Sequence, residues 1–373
     1  MVEGRIPDKV PFHHVSVSSK IASEILGRDA HVGGGINQWR EALALWKGPD
    51  AHAEFVEQTR ADSIAIALAM EQDLVRPDYW RDSRKPVARI DGHTFRYEWD
   101  GGREWEVRRL DPDTELYNRI DGSPSPELEL EDLEALVEKA EERVSKHAPT
   151  EADFPDAAYA IGKVGQTHEI RVSCLGTAIP VDDPLWMEAT ILRPDLVGRL
   201  LDVQVEESIK DARIAGRMGL TMLFGGGDFA TDSGPMYSPK IFHEFVLPRL
   251  KRISEFCRSI GTHHFFGSDG NVWPVAQDLY GSSGIAGHYE ADRRAGMAIG
   301  KVHEKYPDIT LIGNVTSHTL HTGTPAQVEA ETRACMEEAK RTGKGIVGCS
   351  NIIICETPME NVRAMMGAMA KYR

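Results

Sequence analysis

Cysteine and long apolar runs are both scarce in this sequence, and each shortage excludes a class of protein. The 373 residues include five cysteines, an odd number, widely spaced and without a CxxC pair. A disulfide framework is therefore not expected, and a reducing cytoplasm is the expected compartment. No apolar run approaches the roughly 20 residues of a membrane-spanning helix. The N-terminus lacks a positively charged start followed by an apolar core, so no signal peptide is expected.

Basic charge is scarce as well. Lys and Arg number 43 against 58 Asp and Glu, which leaves a net charge of −15. Such an acidic chain disfavours nucleic acid and anionic membranes as partners. No Walker-type phosphate loop is present, and the glycines at 225–227 have the wrong spacing for a dinucleotide-binding fingerprint. The composition therefore predicts a soluble, acidic protein.

From about residue 160 the chain alternates between short apolar runs and amphipathic stretches, which indicates repeated strand–helix units. Hydrophobic residues make up 41% of the sequence, enough for a sizeable core. The predicted strands are 170–172, 220–224, 263–266, 285–288, 309–312 and 346–348. The predicted helices are 194–217, 239–260, 291–306, 325–342 and 358–371. Repeated βα units imply a parallel sheet. With 63–69 and one further early strand the count reaches about eight, which predicts an α/β fold of the (β/α)8 TIM barrel type.

Residues 87–110 follow a different pattern. Apolar and polar residues alternate there with a period of two, and turns are predicted at 91–92 and 100–102. This pattern is typical of an antiparallel hairpin. We therefore predict a single barrel domain over 1–373, with the hairpin as an N-terminal insertion. The following stretch, 127–147, is predicted to be helical.

The most informative segment is a glycine-rich, acidic loop that leads into a well-defined helix. The loop, 225–238, reads GGGDFATDSGPMYS and carries Asp228 and Asp232. Ser238 is placed to cap the helix, and Pro239 occupies its first turn, where the missing N–H costs nothing. A rigid helix then anchors a loop with carboxylates, as in the βα loops of barrel enzymes.

This segment also resembles a known family. From Asp228 to Pro248 it reads D-x-x-T-x-x-G-P-x-x-S-P-x-x-F-x-E-F-V-L-P, which is similar to a signature of the uroporphyrinogen decarboxylase superfamily. Further similar segments follow in the superfamily's order, at 4–12, 265–275, 311–329 and 348–365. The resemblance spans roughly 4–16 and 160–373 and is specific as a set. It implies a (β/α)8 barrel and is closest to the branch of corrinoid-dependent methyltransferases.

Functional residues of such a barrel lie at the carboxyl ends of the strands. Five consecutive predicted strands of this chain end in polar groups, which predicts a functional rim. The candidates for the acid that protonates a leaving group are Asp228, Asp269, His288 and Glu290. The candidates for substrate binding are Asn271, Trp273, Asn314 and Asn351.

A zinc site is the next question that the resemblance raises. Methyltransferases of this superfamily that activate thiols share an H-x-C motif and a later cysteine. Here Gly267, Ser268 and Asp269 occupy the H-x-C positions, and only the later cysteine remains, as Cys349. A different zinc site built from Asp269, Glu290 and Cys349, with His288 nearby, is one prediction. The alternative is that the two carboxylates bind substrate and Cys349 is a small core residue.

Decarboxylation is the second chemistry that the resemblance raises. Uroporphyrinogen decarboxylases carry an arginine-rich RQAGRY segment near the N-terminus, and nothing similar stands at 10–40 here. A substrate with many carboxylates therefore lacks a clamp. A lyase for a small carboxylate remains an alternative, with Arg171, Arg293 and Arg294 as its candidate arginines. A non-catalytic binding subunit is a third reading.

The reading that the rim favours is methyl transfer. We expect the chain to move a methyl group from a small methylated compound, of the methoxylated aromatic or methylamine type, to the cob(I)alamin of a separate corrinoid protein. The enzyme would activate the leaving oxygen or nitrogen by protonation or by a metal. The cobalamin is expected to be supplied by that partner protein, and a homodimer is an open expectation.

Overall fold

The computed structural model describes residues 8–124 and 128–373, and it has the predicted α/β fold. Seven parallel strands form one sheet in chain order. These strands are Leu74–Val75, Glu169–Leu175, Met222–Gly226, His263–Gly267, Gly287–Ala291, Thr310–Val315 and Gly345–Cys349. Residues 4–7 of the N-terminal similarity and the predicted helix start at 127 lie outside the described residues.

The sheet closes through a short extended segment around Phe12. Phe12 pairs in parallel with Val347 of the last strand. The His13 N–H donates to the Val347 carbonyl at 3.1 Å, and the Val347 N–H donates to Pro11 at 2.9 Å. On the other side, the Asp73 N–H donates to the Phe12 carbonyl at 2.9 Å. Residues 11–13 thus take the eighth position, and the fold is a (β/α)8 barrel.

Two apolar layers hold the barrel together. One fills its interior, and the other lies between the strands and the surrounding helices, because successive strand residues point to opposite faces. Phe224 and Phe265 stack inside at a centroid distance of 5.0 Å, whereas Leu223 and Phe266 face the helices. The interior cluster consists of Leu74, Met222, Phe224, Phe265, Tyr289, Ile312 and Ile346.

Helices cover the outside of the barrel. The predicted helices 194–217 and 325–342 are observed as Pro194–Arg217 and Pro325–Thr342. Ser238 caps its helix by accepting the Ile241 N–H, as predicted. The α-helices are Ser19–Leu26, Gly35–Lys47, Pro49–Ala69, Asp132–Lys146, Pro155–Val164, Pro184–Leu192, Pro194–Arg217, Pro239–Ile241, Leu247–Ser259, Ile299–His303, Ser317–Thr322, Pro325–Thr342 and Met359–Tyr372. None of these helices, taken over the described residues, combines the length and apolar content needed to cross a membrane.

Two predicted elements are wrong. The run 63–69 is not a strand but the end of the helix Pro49–Ala69. The run is apolar even at its exposed positions, such as Leu68, so it imitates a buried strand. The predicted helix 291–306 is only Ile299–His303, because Ala291 still belongs to a strand and 292–298 form a loop. The early strands that complete the barrel are instead 11–13 and Leu74–Val75.

The insertion is larger than the predicted hairpin. Its strands are Ala88–Arg89, Thr94–Trp99, Glu104–Asp111 and Leu116–Gly122, and they form one antiparallel sheet that runs past residue 110. The inward face packs on the helix Gly35–Lys47. The buried residues of this contact are Ala42, Phe95, Tyr97, Leu110 and Tyr117. The apolar alternation therefore anchors the insertion to an N-terminal helix.

Replacing Gly225 by alanine should destabilise the barrel strongly. A Cβ at this position would overlap the Leu175 carbonyl of the neighbouring strand. We expect a loss of about 2–3 kcal/mol or more in the free energy of unfolding, because the backbone cannot yield as a side chain can. Thermal unfolding measures the effect.

Gly162→Ala is the matched control for this substitution. Gly162 lies in the helix Pro155–Val164, and no atom would lie within 4 Å of an added Cβ. Alanine should therefore be neutral or stabilise by up to about 1 kcal/mol. Equal shifts of the two melting temperatures would contradict the packing argument.

Candidate active site

Three loops at the carboxyl ends of the strands are tied together by Asp269. Asp269 follows the strand His263–Gly267, and its N–H donates to Oδ1 of Asp228 at 3.3 Å. Its own Oδ2 accepts a hydrogen bond from Nδ2 of Asn351 at 2.6 Å. Asp228 and Asn351 follow two other barrel strands. The tertiary structure therefore gathers side chains that are up to 123 positions apart in the chain into one cluster at the barrel mouth.

Glu290 joins this cluster through an irregular backbone. The pairing of its strand with Thr310–Val315 shifts register between Tyr289 and Ala291. Glu290 itself has φ +67°, a left-handed conformation that costs free energy for a residue with a Cβ. Such a bulge re-aims a side chain at the end of a strand. It places Glu290 on the wall of a cavity of about 500 Å³ at the barrel mouth.

The environment of Glu290 favours its protonated form. Burial raises its pKa to about 8, with the negative charge of Asp269 as the second cause, against a smaller lowering by Arg171. Burial also raises the pKa of Asp269 to about 6, helped by the charges of Asp228 and Asp292. At pH 7 the pair therefore holds a proton, mainly on Glu290. A protonated carboxyl in a cavity is what general acid catalysis requires.

Three guanidinium groups line the same cavity. Arg81 pairs with Asp156 at 3.0 Å, whereas Arg171 and Arg76 form no ion pair with a carboxylate of the described residues. Arg171 lies between the rings of Phe224 and Tyr289, with its central carbon 4.7 Å from each centroid. Its Nη1 lies 3.2 Å from Nε2 of His13. Nδ1 of His13 lies 2.8 Å from the Leu74 carbonyl, so Nδ1 carries the proton and Nε2 accepts from arginine. Burial and the charge of Arg171 lower the pKa of His13 well below its usual value, which keeps this neutral form.

Arg76 completes the positive side of the cavity. Its Nε donates to the Asp78 carbonyl at 2.6 Å, and its Nη1 donates to the Val15 carbonyl at 2.9 Å. The guanidinium also lies 4.5 Å from the centroid of the Trp80 ring. Arg76 is therefore fixed by neutral groups in the loop that follows Leu74–Val75.

Two further candidates lie away from the cavity. His288 is buried, with Nε2 donating to the Ser268 carbonyl at 2.9 Å and Nδ1 accepting from Tyr280 Oη at 2.7 Å. Burial lowers its pKa to about 4, so it stays neutral and supports the backbone next to Asp269. Cys349 packs in the apolar layer between strands and helices, and burial raises its pKa to about 12.

The remaining candidates hold loops together. Oδ1 of Asn271 accepts the N–H of Trp273 at 3.0 Å, and the Trp273 indole donates to Gly296 at 2.9 Å. Asn314 is buried, and its amide bonds to the backbone of Ala291, Met297 and Ile299. Of the eight acid and substrate-binding candidates, the structure brings together Asp228, Asp269, Glu290 and Asn351.

The predicted zinc ligands do not form a set in this structure. Among residues 8–124 and 128–373, no group of three His, Cys, Asp or Glu side chains is arranged to hold a metal ion. A Cβ at Gly267 would overlap the ring of Tyr289. The Tyr289 ring therefore fills the space that the side chain of a histidine at position 267, the first residue of an H-x-C motif, would need. The donor set present does not fit zinc, and the acid–arginine cavity is the chemistry that these residues offer.

The sequence does contain one short match to D-x-H-x-x-G, a pattern of corrinoid-binding domains, at 29–34. The match connects two helices, Ser19–Leu26 and Gly35–Lys47. The His31 N–H donates to Asp62 at 2.7 Å, and its ring lies 3.5 Å from Asp29. Packing of the N-terminal helices thus accounts for these residues, and a partner-supplied cobalamin stays a prediction.

Sequence reasoning missed Arg76 as part of the cavity and His13 as the neighbour of Arg171, and it named Arg171 only for an alternative function. One signal was available. An arginine inside the apolar strand Glu169–Leu175 is unusual, because arginine is almost never fully buried unless it is paired. Arg76 and His13 carry no comparable signal, since their strands are only a few residues long and were not predicted.

The architecture defines the class of protein. It is a (β/α)8 barrel enzyme, with an acid and two guanidinium groups that lack a carboxylate partner among the described residues at the barrel mouth. A model of the family "Uroporphyrinogen decarboxylase (URO-D)" matches residues 184–372, just over half of the chain. The chain therefore belongs to the uroporphyrinogen decarboxylase family.

One solved structure shows the same fold. The chain is similar to a methyltransferase from Methanosarcina mazei at 21% identity and a TM-score of 0.64, over 100% of this chain and 96% of that one. An IOLI protein with a zinc atom is 8% identical over 57% of this chain and 78% of that one, but its TM-score of 0.27 carries no argument. No curated protein matches the chain.

Glu290→Gln should stabilise the protein increasingly as the pH rises. A carboxyl with a raised pKa contributes stability that is fully present below its unfolded pKa and is lost as pH rises through its folded pKa, here from about 4.5 to about 8. Glutamine does not titrate, so the variant should gain at least about 1 kcal/mol over the wild type between pH 5 and pH 9. Chemical unfolding at the two pH values measures this.

Glu188→Gln, on the exposed side of the helix Pro184–Leu192, is the control for the lost charge. Its stability relative to the wild type should not change between the same pH values. A Glu290→Gln variant that loses its relative stability towards pH 9 would show that Glu290 is ionised and paired in the folded state.

Proposed function

We propose that this protein transfers a methyl group from a small methylated compound, of the methoxylated aromatic or methylamine type, to the cob(I)alamin of a separate corrinoid protein. The observation that carries the proposal is the position of Glu290 on the wall of the cavity at the barrel mouth, where burial and the charge of Asp269 raise its pKa. Methyl transfer from an ether needs a proton on the departing oxygen, because an alkoxide or phenoxide is a poor leaving group without one. Membership of the family and the fold shared with a methyltransferase support this reading.

The residues of this chain would act on the leaving group. Cob(I)alamin bound to the partner would supply the nucleophile for the methyl carbon, whose bond to oxygen or nitrogen would break. Glu290 gives its proton to the leaving atom and becomes a carboxylate. Asp269 keeps that proton in place beforehand, since its negative charge raises the pKa of Glu290. Asn351 fixes Asp269 through its hydrogen bond of 2.6 Å.

A lyase acting on a small carboxylate is the second candidate, and a specific observation favours it. Arg171 and Arg76 line the cavity together with Glu290, so a carboxylate and a proton donor would meet there. Release of carbon dioxide distinguishes this reaction from methyl transfer. A non-catalytic binding subunit is less well supported, because a binding surface does not need a carboxyl held in its protonated form. The corrinoid partner, a homodimer and the cytoplasmic compartment remain predictions.

Removing the acid should slow methyl transfer strongly. With cob(I)alamin and a panel of methoxylated aromatics and methylamines, Glu290→Gln should lower kcat by about 100-fold or more on any ether that the wild type demethylates. The absorption change of the corrinoid measures the rate. The wild-type rate should fall above about pH 8, where Glu290 loses its proton.

The Asp269→Asn variant tests the coupling between the two carboxyls. Loss of the Asp269 charge lowers the pKa of Glu290, so the falling limb of the pH profile should move to lower pH. Glu188→Gln is again the control and should leave rate and profile unchanged. Carbon dioxide release from a carboxylate without any corrinoid change would replace methyl transfer with the lyase reaction.

A further inference from the structure

We propose that Arg171 and Arg76 form a subsite for a carboxylate, so that the methyl donor of this protein is an anionic compound with a free carboxylate group. The assignment rests on the proposed function only in calling the ligand a methyl donor. The subsite itself follows from how the two guanidinium groups are placed, and its binding can be measured without any corrinoid.

Arg171 is a buried charge without a carboxylate partner. Only 5% of its surface is exposed, and within residues 8–124 and 128–373 no carboxylate oxygen lies within 4.0 Å of it. Its neighbours are the neutral His13 and the faces of two aromatic rings. Its Nε is buried and has no hydrogen-bond partner among the described residues. A buried charge in this state is unfavourable, and a bound anion would offset that cost.

Elsewhere the chain pairs its poorly exposed arginines with carboxylates. Arg249 lies 2.9 Å from Asp202, and Arg293 lies 2.6 Å from Glu338. Because Arg293 is paired with Glu338, it is not free to bind the carboxylate of a ligand, although the sequence analysis named it as a candidate. Arg171 departs from this pattern, as does Arg76, and both lie in the wall of the same cavity.

Arg76 provides the second cation. It too has no carboxylate within 4.0 Å in the described part of the chain, and backbone carbonyls hold its Nε and Nη1. Its Nη2 makes no hydrogen bond to a described residue. Two guanidinium groups with unused donors on one cavity match a carboxylate, whose two oxygens accept several hydrogen bonds at once.

The rest of the cavity fits a small molecule that carries this group. Tyr79, Trp80 and Tyr289 line it with aromatic surface, and Glu290 lies on the same wall as Tyr289. The volume of about 500 Å³ is in the range of small-molecule sites. Arginines that hold the carboxylate would orient the ligand and leave its methylated end for the acid.

Calorimetry of ligand binding at pH 7 tests the subsite. The probes are 2-, 3- and 4-methoxybenzoate, each paired with the uncharged methoxybenzamide of the same shape, and N,N-dimethylglycine, paired with its amide. At least one carboxylate should bind about 10-fold or more tightly than its amide. Arg171→Met and Arg76→Met should each lower that affinity about 10-fold or more, and Arg171→Lys should retain part of it.

Arg249→Met is the matched control. Its side chain is only 14% exposed, and its partner Asp202 lies on the helix Pro194–Arg217, outside the cavity. The Arg249→Met variant should lose stability without losing affinity for the carboxylate. Melting temperatures show whether each variant is folded, and Arg76→Met and Arg171→Lys carry the test if Arg171→Met does not fold.

Three results would overturn the subsite. They are equal binding of acids and amides, unchanged affinity in both folded arginine variants, and the absence of binding by every carboxylate of the panel. A carboxylate of the panel could bind tightly through the arginines and yet never be demethylated. That result would support the subsite and contradict the proposed methyl transfer. The two proposals thus fail on different measurements.

Discussion

The close approach of strands at three glycines is the constraint on which the site depends. Gly225 lies against the Leu175 carbonyl, Gly226 lies against the backbone of Gly267, and Gly267 leaves room for the ring of Tyr289. At each point a Cβ would overlap its neighbour. The absence of side chains lets the strand ends converge, and convergence brings the loops after them together. It also lets Tyr289 reach the barrel interior, where its ring covers Arg171.

The cavity at the barrel mouth holds charged arginines close to an acid that keeps its proton. Two guanidinium groups are held by neutral acceptors and aromatic rings, whereas the nearby Glu290 stays protonated because it is buried beside Asp269. Burial therefore disfavours the charged form of the acid, but arginine keeps its charge at any ordinary pH. The result is a site in which two guanidinium groups without a carboxylate partner among the described residues stand near a proton donor. Such a site suits an anionic ligand whose reaction consumes a proton.

The strained backbone at Glu290 also helps to form this site. A regular strand would alternate its side chains between the barrel interior and the helices. The register shift after Tyr289 breaks this alternation and turns Glu290 towards the cavity, at the cost of a positive φ. Asn314, which is buried and also has a positive φ, uses its amide to hold the loop that follows Glu290. Two unfavourable conformations are thus retained where they position the acid.

The sequence by itself determined the barrel from residue 160 onwards, because apolar runs and capped helices are local patterns that survive in the fold. It also predicted that Asp228, Asp269, Glu290 and Asn351 lie at one rim, since polar residues directly after parallel strands share the carboxyl end of the barrel. Only the tertiary structure decided which rim residues meet. His288 and Cys349 stand on the helix-facing side of their strands, a choice of face that such short, mainly apolar runs do not reveal. The early strands and Arg76 also required the fold, because barrel closure at Phe12 depends on backbone hydrogen bonds between distant segments.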